Sequence, residues 1–165
     1  MKSEKKQVVV VLGMHRSGTS AITRALEAMG VGLGDHLMPP AEGNNEKGFF
    51  EDVEINAINI ELLKAFGDDW RSLAPIAAAD LGSAKVEALR LRAMSVLRDR
   101  FEGNQIFGFK DPRTCRLLPF WQPLFADLGL EQTYVIALRN PLSVAKSLEH
   151  RDRMDFEKSC YLWLV

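Results

Sequence analysis

VVVVLGMHRSGTS, residues Val8 to Ser20, decides the reading of this chain. Four valines and a leucine make a short, continuous, β-branched run, the signature of a buried parallel strand. A glycine-bounded loop follows at once: Gly13, Met14, His15, Arg16, Ser17, Gly18, Thr19, Ser20. Amphipathic spacing then begins, with Ile22, Ala25, Leu26 and Met29 at helical intervals, so a helix is expected from Ser17 to Met29. A strand, a glycine loop and a helix together form an anion cradle. Glycines let backbone N–H groups approach closely, and the helix N-terminus adds unsatisfied donors and a positive dipole end. Arg16 supplies a fork of donors to the same oxygens, and Thr19 and Ser20 add hydroxyls. The glycines stand at P-loop spacing, but Thr19 occupies the place where a nucleotide triphosphatase carries lysine. That lysine reaches the outer phosphates of a metal-bound triphosphate, so its loss points to a different anion.

The same pattern recurs downstream. Gly30, Gly32 and Gly34 end the first helix and open a long loop through Pro39-Pro40 and Gly43-Asn44-Asn45 to Gly48. Helices are expected over Val53–Phe66, Ser83–Phe101, Leu117–Leu128 and Leu142–His150, and another from about Asp155. Pro119 is tolerable near a helix start, whereas Pro123 argues against an unbroken helix. Gln105–Phe109 and Thr133–Leu138 read as strands. Alternating strands and helices imply one α/β domain, a mostly parallel sheet covered on both faces. Ligands of such sheets bind beyond the carboxyl ends of the strands. Three polar clusters fall there: His15-Arg16-Ser17, Lys110-Asp111 and Arg139-Asn140.

Composition narrows the partners. The 165 residues suffice for one core, and a formal net charge of −1 gives no general attraction to nucleic acid or membrane surfaces. No apolar run is long enough to span a bilayer, and Arg16 interrupts the first run too soon for a signal peptide. A cytoplasmic protein is expected. Cys115 and Cys160 are far apart and form neither a metal knuckle nor a disulfide framework. The apolar, helix-like stretch from Ser159 to Val165 has no cap or polar tail, which reads as a domain cut short at its C-terminus.

Taken together, GMHRSGTS, FKDPR and IALRNPLSVAKSL resemble the sulfotransferase superfamily, over roughly residues 8 to 150. The resemblance implies a P-loop-like three-layer α/β sandwich. It also implies 3′-phosphoadenosine 5′-phosphosulfate (PAPS) as sulfonate donor, and no metal. Gly13, His15, Arg16, Ser17, Gly18, Thr19 and Ser20 would then form the 5′-phosphosulfate loop. Arg139 and Ser147 match the 3′-phosphate motif, an arginine after a strand and a serine eight positions on. Arginine rather than lysine in the first loop resembles the branch that includes the tyrosylprotein sulfotransferases. In that branch the lysine of a KDP motif assists at the transferring sulfonate, and Lys110 matches it. A fixed cation there stabilises charge developing on the leaving oxygen.

A general base is also needed to take the acceptor's proton. The branch uses a glutamate downstream of the loop, and Glu51, Glu46 and Glu42 are available, with His15 a further candidate. Glu51 is preferred because Phe49 and Phe50 beside it could raise its pKa by burial. The plainer reading makes it the acidic first turn of the helix beginning near Asp52. Arg113 and His36 could contact an acceptor. Trp70, Phe120 and Trp121 are expected in the core. The sequence does not name the acceptor, and glycans, lipids, peptides and small molecules all fit. The rival readings are a P-loop nucleotide kinase or NTPase, and a nucleotide-binding fragment without catalysis.

Overall fold

The computed structural model describes residues 5–42, 45, 46 and 48–165. Lys2 and the Gly43-Asn44 part of the long loop lie outside them. Three parallel strands, β1 (Gln7–Leu12), β2 (Ile106–Lys110) and β3 (Glu131–Ile136), pair in the order β2-β1-β3. Among the described residues they are joined by six α-helices: α1 (Thr19–Ala28), α2 (Val53–Ala65), α3 (Ala84–Arg100), α4 (Thr114–Asp127), α5 (Pro141–Asp152) and α6 (Phe156–Leu164). A short 3-10 helix, Ala78–Gly82, precedes α3.

The central position of β1 explains its composition. Val8, Val10 and Leu12 enter one core with residues of α2, α3 and α4. Val9 and Val11 point the other way, where α1 packs on β1 and β2. All five are buried, so an uninterrupted apolar run is what this strand requires. The chain leaves β1 for one side of the sheet and then crosses to the other between β2 and β3. The loop after β1 therefore sits where the strand order reverses, the position that opens a crevice in α/β sheets.

α4 departs most from expectation. It starts three residues before Leu117 and runs unbroken through both Pro119 and Pro123. Both prolines are exposed, so water can satisfy the carbonyls left without N–H partners. Each interior proline costs about 3 kcal/mol. Against this, the opposite face buries Leu117, Phe120, Trp121, Leu124 and Phe125, at about 1.5–3 kcal/mol each. Burial wins, and Phe120 and Trp121 are core residues as expected. β3 also starts two residues early, because Glu131 and Gln132 pair with β1 despite their polarity. It ends at Ile136, and the Ala137 N–H donates to the last carbonyl of β1, that of Leu12. α5 and α6 close a small second cluster of Val144, Leu148, Met154 and Leu162. No helix among the described residues is long and apolar enough to cross a membrane.

Candidate functional site

The loop between β1 and α1 is shaped by two residues in the left-handed region, Arg16 at φ 68° and Gly18 at φ 87°. Such alternation turns successive N–H groups toward one concavity, an anion nest. Gly13 is fixed by crowding: a Cβ there would lie 2.8 Å from the Ala137 carbonyl oxygen. Its N–H donates to Cys115 Sγ at 3.1 Å, tying the loop to α4. Gly18 stands at the N-cap of α1 and offers no side-chain cap. Among the described residues no acceptor meets the N–H groups of Gly18, Thr19 and Ser20. Two buried polar atoms also lack hydrogen-bond partners there, Ser17 Oγ and His15 Nε2. Unsatisfied donors concentrated on one loop are costly unless something fills them.

His15 packs on Trp70, with ring centroids 4.3 Å apart. Burial, followed by the nearby charges of Arg113, Arg151, Lys110 and Arg16, holds its pKa well below the usual 6.5. The ring is thus neutral at pH 7.

Beneath the loop lies a buried polar floor. Lys110, at the end of β2, donates from Nζ to Glu51 Oε1 at 2.5 Å. Asn56 Nδ2 donates to the other carboxylate oxygen at 2.8 Å. Asp111 accepts from Asn56, from Asn59 at 3.1 Å and from both the N–H and Nη1 of Arg113, each at 2.9 Å. Asn59 also donates to Thr114 Oγ1, and its own carbonyl accepts from Trp121 Nε1 at 2.8 Å. Burial first, and Asp111 second, push the Glu51 carboxyl above its ordinary range, while Lys110 pulls it back in part. The N-cap of α2 is Asp52, which accepts from the Glu54 and Ile55 N–H groups and is held by Arg100. Glu51 therefore stands outside the helix, its carboxylate turned to Lys110.

The third cluster joins the first. Arg16 Nε donates to Ser147 Oγ on α5 at 2.8 Å, and Arg139 Nη1 donates to the Arg16 carbonyl at 2.8 Å. Asn140 caps α5 by accepting from Leu142 and Ser143. Burial and the neighbouring Arg151 and Arg139 charges lower the Arg16 pKa, the mark of crowded like charges.

These parts line one cleft of about 720 Å³. Seven cationic side chains reach it against two carboxylates. Lys110, Arg113 and Arg151 each pair with a carboxylate: Glu51, Asp111 and Asp152 respectively. Arg16, Arg24, Arg71 and Arg139 pair with none among the described residues, although the chain as a whole carries a formal charge of −1. An excess of cations around unsatisfied backbone donors can hold an anion with several charges.

The cleft brings together Arg16, Gly18, Thr19, Ser20, Glu51, Lys110 and Arg139, with Arg113, His15 and Trp70 on its wall. Ser17 is buried behind the loop, and Ser147 reaches the site through Arg16. Glu42 and Glu46 are exposed and do not line the cleft. His36 does not line it either, and lies 3.6 Å from the Glu54 carboxylate. Sequence reading missed Asn56 and Asn59. Their signal was present: two amides three residues apart inside the apolar stripe of a helix, among Ile55, Ile58 and Leu62. It also missed Arg24 and Arg71. Comparison of the chain with protein-family models, curated proteins and solved structures finds no match.

Proposed function

We propose that the protein is a PAPS-dependent sulfotransferase with a P-loop-like fold, acting on a hydroxyl or amine. One observation carries this reading: the three motifs that resemble the superfamily, far apart in sequence, line a single cationic cleft, the first and third joined by Arg16–Ser147 and Arg139–Arg16 contacts and the second contributing Lys110. The residues fit a donor with separate phosphate groups. Gly18, Thr19 and Ser20 N–H groups and Arg16 would hold the 5′-phosphosulfate, and Arg139, with Ser147 beside Arg16, the 3′-phosphate.

Bound there, the donor supplies an activated sulfonate whose leaving group is a phosphate oxygen. Glu51 takes the acceptor's proton at its carboxylate. A pKa raised by burial makes it a better base at neutral pH, and Asn56 fixes its orientation. Proton uptake removes the negative charge opposite Lys110. The Lys110 ammonium is then free to face negative charge developing in the cleft, at the moment it is needed.

Titration calorimetry with 3′-phosphoadenosine 5′-phosphate (PAP), beside ATP with and without Mg²⁺, tests the reading. The expected result is PAP binding that needs no Mg²⁺ and exceeds that of ATP. No heat with PAP at millimolar concentration overturns the proposal. Binding of ATP alone with Mg²⁺ would favour a nucleotide kinase or NTPase.

A further inference from the structure

The polar floor is one chain of hydrogen bonds, and its direction is set at the end farthest from Glu51. The Trp121 indole is fully buried and its Nε1–H can only donate, so the atom of Asn59 that meets it at 2.8 Å is the carbonyl oxygen. The NH₂ group of Asn59 is thereby turned the other way, onto Asp111 Oδ2 and Thr114 Oγ1, each at 3.1 Å. Asp111 receives donors on both oxygens, Arg113 on Oδ1 and the two asparagines on Oδ2. Asn56 Nδ2 lies 3.3 Å from Asp111 Oδ2 and 2.8 Å from Glu51 Oε2. An amide nitrogen carries two hydrogens, so this one group serves both carboxylates. Turned over, Asn56 would set its carbonyl oxygen against both. Asn56, Asn59 and Asp111 are all buried, so such a reversal is costly.

Glu51 therefore has two unlike oxygens. Oε2 meets a neutral donor locked in place by Asp111. Oε1 meets Lys110 Nζ, a cation on a flexible stem that lines the cleft. The charged groups facing Glu51 are Lys110 from β2 and Asp111 and Arg113 from the turn before α4. From α2 comes the neutral Asn56, while the cap Asp52 is turned to Arg100. A protonated carboxyl accepts well only at its carbonyl oxygen. With Asn56 donating to Oε2, that oxygen stays the carbonyl and the proton belongs on Oε1.

We propose that Asp111, Asn59 and Trp121 are positioning residues that act through Asn56, holding Glu51 Oε2 as a hydrogen-bond acceptor and directing the incoming proton to Oε1, beside Lys110. This rests on the sulfotransferase reading and deepens it by naming the atom that takes the proton. The proton leaves the hydroxyl or amine as the electron pair there turns to the sulfonate, the phosphate oxygen departing with the other pair. It arrives on the one oxygen whose neutralisation releases the Lys110 ammonium toward the cleft.

The test is infrared spectroscopy of the full chain without ligand. Difference spectra between neutral pH and a pH below the ordinary 4.5 of a glutamate, compared with those of Glu51→Gln, isolate the carbonyl stretch of protonated Glu51. Wild type should show the lowered frequency of a hydrogen-bonded carbonyl. Asn56→Leu should raise it, and Lys110→Met should leave it in place. Asp111→Asn, at a residue that does not touch Glu51, should raise it as Asn56→Leu does. Its amide oxygen stays with Arg113, so its NH₂ group faces Asn56 and turns that amide over. If Asp111→Asn does not fold, Asn59→Leu replaces it. That change leaves Asn56 as the sole donor to Asp111 Oδ2, draws it away from Glu51 and should raise the band by less. A band that rises in Lys110→Met and stays in Asn56→Leu puts the proton on Oε2 and overturns the proposal. So does a band moved by Asn56→Leu alone, since Asn56 then needs no positioning by Asp111. Absence of PAP binding overturns the donor reading instead, and leaves the place of the proton to the spectra.

Discussion

On the floor of the cleft every charge has a partner, while on its rim four arginines meet no carboxylate among the described residues. Both regions consist of polar side chains around the same cleft. The floor is dry: Glu51, Lys110, Asp111, Asn56, Asn59 and Thr114 are all buried. A charge there must be hydrogen-bonded or it destabilises the fold by several kcal/mol. The rim is wet, and water pays little attention to whether a guanidinium has a partner. The floor is accordingly part of the folded structure, and the rim is what the proposed donor would use. Stability and binding should therefore come apart on substitution.

The largest effect is expected at Asp111, which accepts four hydrogen bonds from three residues. Asp111→Ala should lower unfolding free energy in urea by about 3–5 kcal/mol, since it strands Arg113, Asn56 and Asn59 together. A loss under about 1 kcal/mol would break the distinction between floor and rim.

Lys110→Met should cost less, about 2 kcal/mol at pH 7, because Glu51 can escape its lost partner by taking a proton. The sign follows from the raised pKa. In this variant the folded state holds a proton that the unfolded chain releases above its ordinary 4.5, so stability falls as pH rises from there. Urea midpoints at pH 5 and pH 7 should differ accordingly, with the variant closer to wild type at pH 5.

Arg16→Ala moves the other quantity. PAP affinity should fall about 10- to 100-fold. Unfolding free energy should stay within about 0.5 kcal/mol, as relief of crowding by Arg139 and Arg151 offsets the lost Ser147 contact. Calorimetry and urea unfolding on one preparation read both.

The smallest effect belongs to His15. Its pKa is lowered in the folded state, so below 6.5 the unfolded chain binds the extra proton and stability declines as pH falls. His15→Asn should flatten the thermal midpoint between pH 7 and pH 5.5, and an unchanged slope would mean that another group carries it.

The rim motifs were legible in the sequence because loop chemistry is local. A strand end, a glycine pair and an arginine within a few residues already describe a cradle. The expected positions of Arg16, Lys110 and Arg139 at strand ends correspond to where the three strands end. The floor was less legible because its bonds join residues more than fifty positions apart, as in Lys110–Glu51 and Asn59–Asp111. Phe49 and Phe50 marked Glu51 out from Glu42 and Glu46 in the sequence, but its partners Lys110 and Asn56 come only from the fold. Arg24 and Arg71 belong to no local motif, so nothing in the sequence singles them out. α4 was misjudged at Pro123 because local propensity was weighed without the aromatic face that overrides it.

The central claim is that the unpaired rim arginines bind the donor while the paired floor holds the fold. Thermal unfolding of wild type and Arg16→Ala/Arg139→Ala, each with and without saturating PAP, tests it most directly. The account predicts nearly equal midpoints without PAP, a rise with PAP in wild type and none in the variant. A variant that unfolds much earlier without PAP, or that gains as much from PAP as wild type does, would contradict it.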